Sequence, residues 1–288
     1  MFNPHLTLNC AGQLVDLSSP VVMGILNITP DSFYDGGIHN SDSKLLGQVE
    51  KMLSEGATII DVGAVSSRPG SLAVSEEEEI QRLIPVLKRI KEKFAVTPLS
   101  VDTFRASIAK IAIDEGAAMI NDISGGEMDT KMFETVASYG NIPYVLMHMK
   151  GTPQNMQDKP TYDDVALEVL DYFIRKADQL QELGQKDIIL DPGFGFGKTI
   201  THNYELLQKM HTFKMLDWPI LAGLSRKSMI YKILDTTADK ALNGTSVLNY
   251  EALKQGAKIL RVHDVAPAIE TIKLFQQLEN LKPKSEFI

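Results

Sequence analysis

Residues 191–199 read DPGFGFGKT, three alternating glycines followed by a lysine and a threonine. The composition of this stretch suits a phosphate-binding loop. The P-loop pattern G-x-x-x-x-G-K-[ST] places its first glycine five positions before the glycine that precedes the lysine. Counting back from Gly197 reaches Pro192, which offers no N–H to an anion and has a fixed φ. The nucleotide reading fails by one residue, which leaves Asp191 as the group able to do chemistry. That aspartate closes the apolar run DIILD. Polar residues close seven further runs in the same way: Asn27, Asp61, Asp102, Asn121 with Asp122, His148, Ser225 with Lys227, and Arg261 with His263. One strand-end aspartate is as often a helix cap as a functional group, and for Asp61 and Asp122 both readings stay open. Eight in phase point to a ring of groups around one pocket.

The residue types suggest a ligand with two different ends. Asn121, Asp191 and Lys227 can read a flat heterocycle rich in N–H and carbonyl edges. A carboxylate suits an N–C–N edge that donates two N–H bonds to it. Arg261, His263, Arg68 and Asn27 are donors suited to a phosphate or diphosphate. The four-glutamate run from Glu76 to Glu79 reads as a solvated helix start rather than a metal site. His5, His39, His202 and His211 read as surface or loop histidines, and His148 as a possible support of the barrel floor. Lys227 has a second reading as a Schiff-base lysine, but LSRKSM places it just beyond its apolar strand.

The elements that must position these groups repeat along the chain. SEGATIIDVG (54–63), DEGAAMINDI (114–123) and KQGAKILRVH (254–263) each set glycine after a helical pattern, then a short apolar run. Glycine there suits a left-handed helix cap. The full set of runs is VVMGIL, TIIDV, PLSVD, AMIND, YVLMH, DIILD, PILAG and KILRV. Between them, SEEEEIQRLIPVLKRIKEKF carries Ile80, Leu83, Ile84, Leu87 and Ile90 on one helical face, with Ser75 and Glu78 spaced as a capping box. Continuous apolar strands alternating with helices predict a parallel sheet covered on both faces. Eight units in about 260 residues fit an α/β fold of one (β/α)8 barrel, a TIM barrel, rather than an open sheet. No linker divides residues 1–288, so a single domain is expected, with a short N-terminal extension forming a hairpin at the barrel bottom.

Bulk properties narrow the class. A net charge of −8 argues against a general nucleic-acid binder, which needs a basic surface. The single cysteine, Cys10, excludes an internal disulfide and reads as a small semi-buried thiol. Neither a signal peptide nor an apolar run long enough for a bilayer is evident, so a cytoplasmic protein without membrane partners is expected.

Taken in order, MGILNITPDSFYDGG (23–37), DVGAVSSRPG (61–70), SVDTF (100–104), INDISGG (120–126), HMKGTPQNMQ (148–157), DPGFGFGKT (191–199), GLSRKSMI (223–230) and RVHDV (261–265) resemble dihydropteroate synthase over about residues 20 to 275. The resemblance implies a homodimeric TIM barrel of folate biosynthesis and a sulfonamide target. It implies condensation of 6-hydroxymethyl-7,8-dihydropterin diphosphate with p-aminobenzoate, giving 7,8-dihydropteroate and diphosphate. It places the pterin on Asp102, Asn121, Asp191 and Lys227. The diphosphate falls on Asn27, Arg68, Arg261 and His263, with Mg²⁺ bound through Asn27 and the diphosphate. The p-aminobenzoate pocket falls on Phe33, Ser67, Pro69, Phe196, Lys227 and Ser228. Catalytic roles fall on Asp31, Arg68, Lys227, Arg261 and His263, with Asp31 near the developing cation.

The chain departs from the family pattern at Val65, where the second loop commonly has glutamate, and at Tyr34, where serine is common. Two rival readings follow. A pterin-dependent methyltransferase domain would keep the pterin residues without needing TPDSF, Arg261 and His263. A non-catalytic pterin-binding paralogue is encouraged by Val65 alone.

Overall fold

Each of the eight apolar runs forms a strand in the computed structural model, which describes residues 6–28, 38–65, 74–156 and 158–281. A hairpin comes first, β1 (Thr7–Cys10) antiparallel to β2 (Gln13–Asp16). The barrel strands are β3 (Val21–Asn27), β4 (Ile59–Gly63), β5 (Leu99–Asp102), β6 (Met119–Asp122), β7 (Tyr144–Met147), β8 (Ile188–Asp191), β9 (Ile220–Ala222) and β10 (Ala257–Val262). They run parallel in sequence order, and β10 closes on β3. The helices are α1 (Ile38–Ser54), α2 (Glu76–Lys93), α3 (Ala106–Asp114), α4 (Met132–Ala137), α5 (Val165–Glu182), α6 (Ile200–Gln208), α7 (Ser228–Tyr231), α8 (Leu242–Gln255) and α9 (Val265–Asn280). None among the described residues is long and apolar enough to cross a membrane.

The strand period of two sorts the barrel into layers. Met23, Ile59, Met119, Val145, Ile189, Leu221 and Ile259 form one buried cluster with Leu8, Cys10, Val15 and Leu17 of the hairpin segment. The hairpin thus plugs the end where the strands begin, as the sequence predicts. Burial pushes the Cys10 thiol up to about 12, so it is a packing group. Two residues further along the same strands stand Asp61, Asn121, Asp191 and Arg261. An apolar floor therefore lies directly beneath a polar layer. Each buried Ile or Leu of that floor is worth about 1.5–3 kcal/mol. A one-residue slip would exchange the floor for the outer face and turn the polar groups out.

Gly56, Gly116 and Gly256 have φ of +105°, +97° and +109°, the left-handed caps expected at the three repeated junctions. Helix α2 buries Leu83, Leu87 and Ile90 as the periodicity requires. Two details differ from the sequence reading. Ser75 does accept from the Glu78 N–H at 3.2 Å, but the Glu78 carboxylate pairs with Arg82, one turn on, so the reciprocal arm of the capping box is replaced. Glu79 is not solvated. It is 1% exposed, accepts from Thr103 Oγ1 at 2.8 Å and pairs with Arg105. A neighbouring strand end supplies both partners, and helical periodicity alone does not reveal them.

Candidate active site

The DPGFGFGKT loop is built backbone first. Gly193, Gly195 and Gly197 all take left-handed φ, +67°, +84° and +60°. A Cβ on Gly193 would collide with the carbonyl oxygen of His148, and one on Gly197 with that of Lys150. The glycines therefore let the loop fold tightly over the end of β7. The Gly193 N–H donates to Asp191 Oδ1 at 2.8 Å and aims the carboxylate. Lys198 turns inward. It is 2% exposed, and its Nζ lies 2.9 Å from His148 Nδ1 and 3.0 Å from the carbonyl oxygens of Gly193 and Phe196. Burial drives Lys198 well below the usual lysine range. It pins the loop and has no reach to a phosphate. His148 is its partner, so this histidine supports the site loop at the rim rather than the barrel floor.

Across the barrel mouth the polar layer is knitted together. Arg261 Nε donates to Asp61 Oδ2 at 2.7 Å, and its Nη2 to Asp102 Oδ2 at 2.9 Å. Asn121 Nδ2 donates to the same Asp61 oxygen at 3.0 Å. Beside Gly63, Asn27 Oδ1 and the Asp102 carboxylate both come within 4 Å of where a Cβ would stand, which sets Asn27 next to Asp102. Burial works against the Arg261 charge, but Asp61 and Asp102 outweigh it and keep the guanidinium protonated. Burial raises Asp102 to about 7 against the pull of Arg261.

Lys227 follows β9 at the N-terminus of α7. Its Nζ donates to the Phe194 carbonyl and sits 4.9 Å from the centre of the Phe196 ring. Burial pulls this lysine down to about 8, with Asp191 the main opposing charge. The preceding residue, Arg226, is anchored to a neighbouring loop. With φ +56°, Arg226 forms a side-on pair with Asp264, Nε to Oδ2 at 2.9 Å and Nη2 to Oδ1 at 2.6 Å. On the adjacent strand end, Ser225 Oγ accepts from the His263 N–H at 3.2 Å and lies 3.0 Å from its Nδ1, fixing the ring. Asp122 takes the structural role of its two readings. Its carboxylate accepts from Ser124, Gly126 and the Tyr144 hydroxyl, leaving no acceptor for a ligand.

Of the residues expected at the site, Asn27, Asp102, Asn121, Asp191, Lys227, Arg261, His263 and Phe196 all lie at this one rim, with Ser228 opening α7 behind Lys227. Asp31, Phe33, Tyr34, Ser67, Arg68 and Pro69 lie outside the described residues. Val65 is half-buried. The sequence leaves Asp61 open, as it does Asp122, although Asp61 stands two residues beyond an inward Ile59 like Asn121 beyond Met119. A cleft of about 730 Å³ at the opposite end, lined by Pro20, Trp218, Pro219 and Lys258 among others, lies where barrel strands begin, away from the chemistry of such folds.

A closed parallel barrel with a charged, hydrogen-bonded layer at its C-terminal mouth defines an α/β-barrel enzyme. A family model described as pterin binding enzyme matches residues 23–263. Dihydropteroate synthase of Escherichia coli K12 is 43% identical over 278 residues, covering 96% of this chain and 98% of the relative. The enzyme of that name from Bacillus subtilis is 41% identical, covering 90% and 89%. Among solved structures, Yersinia pestis dihydropteroate synthase with a sulfonamide drug complex matches at 40% identity and TM-score 0.88, covering 95% of this chain and 99% of that one. The Xanthomonas albilineans enzyme with 4-aminobenzoic acid matches at 38% and 0.88, covering 96% and 99%. This chain belongs to the pterin-binding enzymes and, among them, to the dihydropteroate synthases.

Proposed function

We propose that this chain joins 6-hydroxymethyl-7,8-dihydropterin diphosphate to p-aminobenzoate through the rim residues described above. The observation that carries the reading is the Arg261–Asp102 bond. It joins a group suited to a leaving anion to a group suited to a pterin ring within a single polar layer. Asp191, aimed by the Gly193 N–H, would accept from the aminopyrimidinone edge, and Lys227 would donate to ring acceptors. Asn121 and Asp102 would take the remaining ring edge. As the bond between methylene and diphosphate oxygen breaks, the anion leaves with the electron pair and the dihydropterin ring supports the cationic methylene. Arg261 and His263, with Arg68, meet the departing charge, which is preorganised electrostatic stabilisation. The amine nitrogen then bonds the methylene and gives up a proton to the departed diphosphate or to water. An arylamine is neutral at pH 7, so no strong base is needed. Asp31 is assigned to the cation side.

Among the described residues no cluster of three or more His, Cys, Asp or Glu side chains could hold a metal. A single amide oxygen at Asn27 suits Mg²⁺, which commonly keeps waters and binds through one or two protein oxygens plus substrate phosphates. When bound, it would neutralise charge on the leaving diphosphate. Magnesium dependence, homodimeric assembly and a cytoplasmic location belong to this proposal. Sedimentation equilibrium tests the dimer.

The deciding assay is diphosphate release that requires both p-aminobenzoate and Mg²⁺. No release at saturating substrates would favour the non-catalytic reading, and release without p-aminobenzoate would overturn the condensation. Lys227 adds a pH signature. Its proton is retained below about 8 and lost above, so kcat/KM is expected to fall as pH rises through about 8. That fall is not unfolding. Between 8 and the ordinary lysine value of 10.5 the unfolded chain binds more protons, so this group makes stability rise with pH there. Lys227→Arg should be slower yet lose the alkaline limb; a limb unchanged in that variant removes Lys227 as its source.

A further inference from the structure

Arg261 is held by half of a geometry that the same rim shows complete. In the Arg226–Asp264 pair, Nε and Nη2 bond the two oxygens of one carboxylate. In the Arg261–Asp61 pair only Nε reaches Asp61, while Nη2 has gone to Asp102. Among the described residues the second oxygen, Asp61 Oδ1, is buried without a hydrogen-bond partner, and Ser100, its neighbour in strand register, makes no bond to it. Leaving a buried carboxylate oxygen without a donor is unfavourable, more so than for a neutral group, so the arrangement needs a reason.

We infer that Asp61 is a positioning residue that gives the Arg261 guanidinium two seats, and so couples pterin binding to diphosphate binding. This inference rests on the substrate reading proposed above. Without a pterin, Nη2 sits on Asp102. A pterin N–H that takes the Asp102 oxygen displaces it, and Nη2 closes on Asp61 Oδ1 to complete the side-on pair. Nε stays on Asp61 throughout, so the side chain pivots without leaving its place. The edge of the guanidinium turned away from Asp61 is then presented to the diphosphate. With Asp102 occupied by a donor, its negative charge also weighs less on the incoming anion. Each ligand thereby favours the other, as reciprocal coupling requires.

Calorimetric titration of inorganic diphosphate with Mg²⁺ into the full chain, with and without saturating 6-hydroxymethylpterin, tests this without any variant. The pterin should tighten diphosphate about fivefold or more. Asp61→Asn keeps an acceptor for Nε but replaces the second acceptor with an amide donor, so the ratio should fall towards one. Arg261→Lys has no two-donor edge and should lose the coupling while keeping the charge, which covers the case in which the asparagine variant does not fold. Both ligands binding with no mutual effect in the wild type would overturn the inference, as would full coupling in Asp61→Asn. Failure of either ligand to bind would instead count against the substrate assignment.

Discussion

Arg261→Ala is expected to lower kcat by at least about 10²–10³-fold, the usual loss for one donor aimed at a developing charge. It should also destabilise the fold. Arg261 neutralises Asp61, which is fully buried, and Asp102, which is 15% exposed at its side chain. Removing one partner from a buried ion pair costs about 3–5 kcal/mol. The Arg261 side chain keeps 20% of its surface exposed, so the lower end, about 3 kcal/mol, is expected. The loss has a pH sign. Burial holds Asp102 above its ordinary value while Arg261 pulls it down, so removing Arg261 raises it further. A carboxyl raised in the folded state favours folding at low pH and loses that contribution as pH rises through the folded value. The deficit measured by urea unfolding should therefore be larger at pH 8 than at pH 5. Adding Asp61→Asn to Arg261→Ala should recover stability but not turnover. A variant with near-normal turnover removes Arg261 from the reaction, and one with wild-type stability shows that the two carboxylates do not need it.

The barrel is legible in the sequence because its strands are buried on both faces and read as uninterrupted apolar runs, each closed by a polar residue. Strand phase alone places Asp191 and Arg261 at one rim, with Lys227 just beyond the end of a third strand, and their side-chain chemistry by itself suggests a two-ended ligand. What stays hidden is lateral. That Arg261 reaches past its own strand neighbour Met23 to Asp61 depends on barrel stagger, which no single run encodes. Glu79 reads as one more glutamate at a helix start, yet Thr103 and Arg105 draw it inside. Lys198 shows the same limit. Its exclusion as a phosphate ligand follows from Pro192, but its role as a buried pin needs carbonyl and imidazole partners from two loops. Asp61 is the nearest miss. Its phase matches that of Asn121 and Asp191, and its inner neighbour Ile59 marks it as inward-facing; only the alternative reading as a cap keeps it open.

Gly193→Ala is expected to lower kcat/KM by about 10²-fold or more, because this residue joins two requirements that a side chain cannot meet together. Its φ of +67° alone costs an L-residue roughly 1–2 kcal/mol. Its Cβ would also strike the His148 carbonyl, a backbone atom at the end of β7 that cannot rotate aside. Relief must come from moving the loop. The Gly193 N–H that orients Asp191 Oδ1 moves with it, and so does the Gly193 carbonyl that Lys198 Nζ binds. A misplacement of about 1 Å at a positioned group can cost about 10²-fold, and here the displaced group is the carboxylate assigned to the pterin edge. A control separates strain from collision. Gly184 also has a left-handed φ, +87°, but a Cβ there meets nothing within 4 Å. Gly184→Ala should therefore lose only the conformational cost, roughly 1–2 kcal/mol, and keep its kcat/KM. Thermal unfolding and steady-state kinetics on both variants decide the matter. If Gly193→Ala keeps wild-type kcat/KM, the loop does not aim Asp191, and the pterin edge must be read by other groups.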